Sequence, residues 1–141
     1  MTITGAHVEL LRGVPLFAAM TDSAYDRVAG LTESHAVAAG EVMVQQGDEG
    51  DAFYVIVSGA ADVRQDDRSI ASLGPGDFFG EIALIDGKPR SATVVASDDL
   101  VLLRIWRAPF LRLLDEQPAT RHAVLLALTQ RIRNDAPNAT D

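Results

Sequence analysis

The sequence has no cysteine and only three histidines in 141 residues. The lack of cysteine excludes a disulfide scaffold, a thiolate zinc site and a cysteine nucleophile. The histidines, His7, His35 and His122, stand far apart along the chain. No pair of them has the spacing of a histidine metal site. We therefore expect neither bound metal nor catalytic residues of these types.

Long apolar runs are also missing. No run approaches the roughly 20 residues that are needed to span a bilayer. The N-terminus lacks the basic and then apolar layout of a signal peptide. These absences predict a cytoplasmic protein with no membrane partner.

Basic residues are scarce, with 12 Lys and Arg against 20 Asp and Glu, a net charge of −8. The first 103 residues hold 16 of the acids and only 6 bases, whereas six arginines fall within residues 104–133. A surface of this sign repels a phosphate backbone. We expect no direct nucleic-acid binding, and we interpret the C-terminal arginines as a solvated helix face.

The periodicity of apolar residues changes twice along the chain. Residues 6–31 have a helical pattern that breaks at 13–15, and a helical pattern returns over 108–133. Between them, residues 33–106 form many short strands that are separated by turn signals, with no room for crossover helices. This order favours a β-sandwich or barrel with helices at both ends.

The pattern predicts one domain over residues 1–133, followed by a polar tail over 134–141. Trp106, at the end of the last strand pattern, is expected to lie in the core. The last helix carries an apolar stripe formed by Leu125, Leu128 and Ile132. That stripe is suited to packing on the sheet or on a second copy of the chain.

The stretch 78–93 carries the chemistry. Residues 81–85 are helix-forming inside a β-rich region, and a single helical turn there would present free N–H groups to an anion. Gly80 permits a close backbone approach. Arg90 would face the same place, and its guanidinium matches phosphate oxygens. Because Glu81 suits a hydroxyl pair instead, the set predicts a phosphate joined to a ribose.

These motifs resemble those of the cyclic nucleotide-binding domain family. Residues 79–84 (FGEIAL) and 89–93 (PRSAT) resemble its phosphate-binding cassette, and 47–59 (GDEGDAFYVIVSG) resembles its glycine-marked hairpin. Residues 10–17 (LLRGVPLF) resemble its N-terminal helical segment, so the resemblance covers nearly the whole chain. The family occurs in transcription regulators, in regulatory subunits of cAMP-dependent protein kinase and in cyclic nucleotide-gated channels.

The resemblance implies a mainly β fold with flanking helices. That fold is a double-stranded β-helix, a jelly-roll-like β-roll, with N-terminal helices and two C-terminal helices. It also implies cAMP as the ligand, with cGMP as the second candidate and no separate cofactor. Ser91 follows the arginine as in many cAMP-binding bacterial members, whereas cGMP-preferring members often have threonine there.

The resemblance also assigns roles to residues. Beside Gly80, Glu81 would accept a hydrogen bond from the ribose 2′-hydroxyl, and Arg90 would pair with the cyclic phosphate. The phosphate oxygens would be held by the Ser91 hydroxyl and by the backbone N–H groups of Ile82, Ala83 and Ala92. The sugar and base would be lined by Val63, Leu73 and Ile82. Candidates for a lid over the base are Arg121, Leu125 and Leu126.

The implied function is a cyclic nucleotide sensor that moves its C-terminal helices and is not an enzyme. Its output would pass to a separate effector protein or to a homodimer. Two alternatives stay open. One is a fragment of a transcription regulator of this family that lacks its DNA-binding part. The other is an interaction module that no longer binds nucleotide, in which Glu81 and Arg90 form only a structural ion pair.

Overall fold

The computed structural model describes residues 5–14, 17, 20–80 and 87–135. In chain order, its helices and strands are α1 (Gly5–Arg12), α2 (Asp22–Leu31), β1 (Thr32–Val37), β2 (Val42–Val44), β3 (Ala52–Ser58), β4 (Ala61–Gln65), β5 (Arg68–Leu73), β6 (Phe78–Phe79), β7 (Thr93–Ala96), β8 (Leu100–Trp106), α3 (Arg107–Glu116) and α4 (Pro118–Asp135).

The strands form two four-stranded sheets. Their orders are β1-β8-β3-β6 and β2-β7-β4-β5, and the strand pairings in both are antiparallel. Helices precede the first strand and follow the last one. This arrangement confirms the predicted mainly β roll with N-terminal helices and two C-terminal helices.

Strand β3 is buried on both faces, which explains its continuous apolar sequence. Alternate residues of a strand point to opposite sides. Phe53 and Val55 join a core cluster that includes Phe110 of α3. Tyr54 and Ile56 join a second cluster with residues of the other sheet. The first sheet therefore separates a helix-facing core from the core between the two sheets, which we call the interior core.

The helices are held to each other and to the sheet by local contacts. Thr21 caps α2, since its hydroxyl accepts a hydrogen bond from the Ala24 amide (3.2 Å). Arg27 of α2 pairs with Glu116 of α3 at 2.7 Å. The N-terminal and C-terminal helices are therefore linked on one side of the roll.

Two tight turns have the conformation that their sequences indicate. Gly76 has φ +87°, and the amide of Asp77 donates to the carbonyl of Gly74 (3.0 Å). That geometry fits the type II turn expected at a Gly-Pro-Gly sequence. Asp66 and Asp67 form the two-residue loop between β4 and β5, with φ values of 53° and 65°. Paired left-handed residues match the twist of a hairpin.

The prediction that Trp106 lies in the core is wrong. Its side chain is 39% exposed. The indole Nε1 donates to a carboxylate oxygen of Glu33 (3.1 Å), and the guanidinium of Arg104 lies 4.4 Å from the ring centroid. The indole N–H therefore has a charged partner at the surface, and the ring packs against Arg104 and not inside the core.

Two boundaries also differ from the prediction. Strand β1 begins at Thr32, directly after α2, and it contains several polar residues. Helix α4 continues to Asp135, two residues past the predicted end. No helix-breaking residue occurs before Pro137, so nothing in the sequence stops the helix at residue 133. In the described part of the chain, no helix has the length and apolar character to cross a membrane.

Candidate functional site

Arg90 is a buried arginine, with only 4% of its side chain exposed. Its Nη1 donates to the carbonyl oxygen of Gly80 (2.9 Å), and its Nη2 donates to the carbonyl oxygen of Ala52 (2.9 Å). The same Nη2 lies 3.3 Å from Oδ1 of Asp51. A buried charge is costly unless it is paired and hydrogen-bonded, and three acceptors meet that need here.

The backbone of Gly80 lies directly against the side chain of Arg90. Its φ is +98°, in the left-handed region that favours glycine. A Cβ atom there would lie 2.8 Å from the carbonyl oxygen of Ala52 and 2.9 Å from Nη1 of Arg90. Gly80 therefore permits the close approach that lets Arg90 reach its backbone carbonyl.

Tyr54, on the interior-core side of β3, contacts the Asp51 carboxylate that pairs with Arg90. Its ring stacks on Phe79, with centroids 4.9 Å apart, and its hydroxyl donates to Oδ1 of Asp51 (3.4 Å). Burial raises the pKa of Tyr54, and the nearby charge of Asp51 adds to that effect. The phenol thus stays protonated and acts as a donor, so Asp51 receives hydrogen bonds from both Tyr54 and Arg90.

Backbone contacts fix the position of the segment that contains Arg90. Its amide donates to the carbonyl of Asp48 (2.7 Å), and its carbonyl accepts from the amide of Gly47 (2.9 Å). The glycine-marked loop and the arginine segment thus form a short two-bond bridge. Ser91 follows on an exposed position and Ala92 is half-buried.

Val63 and Leu73 stand on neighbouring strands β4 and β5. Leu73 pairs with Ala61, two residues before Val63, so Val63 and Leu73 share one face of the hairpin. Both are partly buried against the interior core. The structure thus places these two predicted lining residues side by side, and their contact with a ligand stays a prediction.

Three predicted site residues, Glu81, Ile82 and Ala83, lie outside the described residues, and so does the alternative ion pair of Glu81 with Arg90. The lid candidates lie on α4. Arg121 is exposed, and Leu125 and Leu126 are 52% and 53% exposed. Of the stripe on this helix, only the side chain of Leu125 is among those described.

A cavity of about 220 Å³ adjoins Arg90 on the side of Asp51. Its lining includes Asp48, Glu49 and Asp51 together with residues of β2. An acidic lining of this kind opposes an anion, so this cavity is not a candidate position for a phosphate. Among the described residues, no group of three or more His, Cys, Asp or Glu side chains is placed to hold a metal ion.

The sequence did not indicate the roles of Asp51 and Tyr54 in holding Arg90. In the sequence, Asp51 is the last residue of a turn cluster, and Tyr54 is one residue of a predicted apolar strand. Their positions in the sequence could have indicated these roles, because Asp51 directly precedes the buried strand β3 and Tyr54 lies on that strand. Asp51 also contacts the C-terminal helices, since its carbonyl accepts from the amide of Arg107, the first residue of α3 (2.8 Å).

Comparison with known proteins identifies the family of this chain. The family model described as "Cyclic nucleotide-binding domain" matches residues 34–117. The cAMP-dependent protein kinase regulatory subunit of Eremothecium gossypii is 39% identical over 99 residues, which cover 70% of this chain and 22% of that protein. This chain therefore spans about a fifth of that relative's length.

Two solved structures show the same fold. Cyclic AMP-bound PfPKA-R is 29% identical with a TM-score of 0.79, over 92% of this chain and 43% of that one. The catabolite activator protein of Thermus thermophilus is 31% identical with a TM-score of 0.79, over 89% of this chain and 62% of that one. The relative from Eremothecium gossypii is named as a regulatory subunit, and the first of these structures contains cAMP. With its sheet order, its buried arginine and these matches, the chain belongs to the cyclic nucleotide-binding domain family.

Proposed function

We propose that this chain is a regulatory domain that binds cAMP at Arg90. The observation that carries the proposal is the buried guanidinium of Arg90, which is held against the backbone of Gly80 and is followed directly by Ser91. A fixed guanidinium next to a hydroxyl and to backbone N–H groups suits a phosphate with a single negative charge. Relatives named for cAMP support the choice of ligand.

In this proposal the phosphate end and the sugar end of cAMP have different partners. Arg90 pairs with the cyclic phosphate, and Glu81 accepts from the ribose 2′-hydroxyl. The remaining phosphate oxygens are held by the Ser91 hydroxyl and by the backbone N–H groups of Ile82, Ala83 and Ala92. The apolar wall along the sugar and base is formed by Val63 and Leu73 with Ile82.

The proposed signal travels from Arg90 to the C-terminal helices through Asp51. A phosphate that pairs with Arg90 competes with the Asp51 carboxylate for the same guanidinium. The carbonyl of Asp51 holds the first amide of α3 (2.8 Å). A shift of Asp51 therefore changes the start of α3, and with it the position of α4, where a lid residue over the base is proposed.

The proposal extends to four further properties. The domain covers residues 1–133 and works in the cytoplasm. It binds without hydrolysing its ligand, as its family membership implies. It prefers cAMP over cGMP, since Ser91 and not threonine follows the arginine. It passes its signal to a separate effector protein or to a second copy of itself.

Calorimetric titration of the purified chain with cAMP, with cGMP run alongside, tests the proposed ligand. Micromolar or tighter binding of cAMP at one site per chain is expected, with weaker binding of cGMP. No heat with either nucleotide, together with an unchanged melting temperature, would overturn the proposal and favour an interaction module of the same fold. Chromatography of the titrated sample checks that cAMP is recovered intact.

Hydrogen exchange tests the proposed movement of the helices. Addition of saturating cAMP should change amide protection across α3 and α4 (118–135). The strands β3 and β8 serve as internal references, because they are buried in the cores and should stay unchanged. Equal protection of both helices with and without cAMP would refute the signalling part while leaving the ligand assignment intact.

A further inference from the structure

Two glutamines, Gln46 and Gln65, make hydrogen bonds at the point where the backbone ladders of the sheet stop. The ladder between β4 and β7 ends with the pair Arg64 and Thr93. One residue further along β4, the Nε2 of Gln65 donates to the carbonyl oxygen of Ser91 (3.1 Å). A side chain thus replaces the backbone pairing directly beside the residues that follow Arg90.

Gln46 has the same position on the other side of β7. The ladder between β2 and β7 ends with the pair Val44 and Val94. Two residues past Val44, the backbone N–H of Gln46 donates to the side-chain Oγ1 of Thr93 (2.9 Å). Both flanks of the segment that leads from Arg90 into β7 are therefore held by a glutamine.

The side chain of Gln46 also reaches across to the tip of the β4–β5 hairpin. Its Oε1 accepts from the backbone amide of Asp66 (2.9 Å), and its Nε2 donates to Oδ1 of the same residue (3.0 Å). A primary amide that makes both contacts with one residue fixes direction as well as distance. Asp66 is also one of the two left-handed residues of that loop, so Gln46 holds a conformation that costs energy in a non-glycine residue.

These contacts close a ring around the start of β7, from Gln46 to the hairpin tip and from Gln65 to Ser91. We call the two side chains the glutamine clasp. We infer that the glutamine clasp positions Ser91 and Arg90 relative to Val63, and so sets the distance between the phosphate contacts and the apolar wall. This inference rests on the proposed binding of cAMP. Gln46 and Gln65 are positioning residues, since neither is assigned a contact with the ligand.

The clasp is tested by Gln46→Met and Gln65→Met, which keep side-chain length and remove the side-chain hydrogen bonds to Asp66 and to Ser91 respectively. Each variant should bind cAMP about fivefold more weakly in a calorimetric titration, the effect of one or two hydrogen bonds. Because these contacts are near the surface, the melting temperature of the ligand-free variants should stay within about 2 °C of the wild type. Gln45→Met is the matched control, since the exposed side chain of Gln45 takes no part in the clasp, and its affinity should not change.

A double-mutant cycle separates positioning from a general loosening of the fold. If Gln65 acts by placing Ser91, Gln65→Met should weaken binding less in a Ser91→Ala background than in the wild type. An equal loss in both backgrounds, or wild-type affinity in Gln46→Met and Gln65→Met, would overturn the inference alone. A wild-type chain that does not bind cAMP would overturn the proposed function, and this inference with it.

Discussion

Oδ1 of Asp51 lies 3.3 Å from Nη2 of Arg90, although the carboxylate is 63% exposed and the arginine side chain only 4%. The contact joins the loop before β3 to the segment before β7, and it places a negative charge beside a buried guanidinium. The same carboxylate accepts a hydrogen bond from the hydroxyl of Tyr54. In the proposed mechanism, Asp51 is the residue that links the state of Arg90 to the C-terminal helices.

Replacement of Asp51 should affect stability and ligand binding in opposite directions. Asp51→Asn keeps the shape of the side chain but removes the charge beside Arg90. The ligand-free chain should melt at a lower temperature, because the buried charge loses its counter-ion. The affinity for cAMP should rise a few-fold, since the phosphate no longer competes with a carboxylate. Calorimetry and thermal melting measure both, and weaker binding by Asp51→Asn would contradict this account of Asp51.

Gly80→Ala should disturb both the backbone and Arg90. The added Cβ would meet Nη1 of Arg90 at 2.9 Å and a carbonyl oxygen at 2.8 Å, on a backbone with φ +98°. We expect a loss of about 2–4 kcal/mol in the free energy of unfolding, from the left-handed conformation and the clash together. Gly76→Ala is the control, because its φ is +87° and no atom lies within 4 Å of the added Cβ. Equal losses in urea unfolding would show that the clash has no effect.

Acid titration should report on Glu33 through the single tryptophan. Hydrogen bonds from Arg104 and then from Trp106 hold the pKa of Glu33 below its ordinary value of 4.5. A lowered pKa means that the carboxylate contributes stability above the ordinary value and loses it as the pH falls through the folded-state value. Trp106 fluorescence should therefore change in a step below pH 4.5.

Glu33→Gln is the matched variant for this titration. It keeps an oxygen that can accept from the indole but does not titrate. Its fluorescence should lack the acid step while unfolding of the chain, followed by circular dichroism, stays a separate transition. A step of the same size in Glu33→Gln would show that another group is responsible.

The helix-facing core depends on Phe53. This side chain is fully buried, and its ring stacks on Phe110 of α3 with centroids 5.1 Å apart. Phe53→Ala should reduce the free energy of unfolding by about 3–5 kcal/mol, as expected for a large cavity. Phe78→Ala, at a half-buried position, should have a clearly smaller effect. Denaturant unfolding compares the two, and equal losses would contradict this description of the core.

The sequence predicted the elements whose local pattern is strong. Strand β3 follows from an apolar run that ends at Gly59, and the turn at Gly76 follows from its Gly-Pro-Gly sequence. Helix α4 begins at Pro118 as predicted, because proline fits the first turn of a helix. In these segments the local conformational preference and the tertiary structure agree, so the sequence alone is sufficient to predict the element.

Other features depend on partners that are distant in the chain. Strand β1 contains Glu33 and His35, and it is a strand because it pairs with β8 some 70 residues later. Trp106 is at the surface because Glu33 and Arg104 meet there. The contact between Asp51 and Arg90 spans 39 residues. No local pattern encodes these contacts, and the assignments of Glu81, Ile82 and Ala83 stay predictions that rest on the family motif.

Arg90 is proposed to hold the phosphate of cAMP, and calorimetric titration of the wild type beside Arg90→Ala measures that contact. Arg90→Lys, which keeps the charge but not the planar fork, serves as the variant that is expected to fold and to bind with intermediate affinity. We expect one cAMP site per wild-type chain and at least a tenfold loss of affinity in Arg90→Ala, the effect of a charge-assisted contact. Equal affinity of the wild type and a folded Arg90→Ala would contradict the proposed role of Arg90.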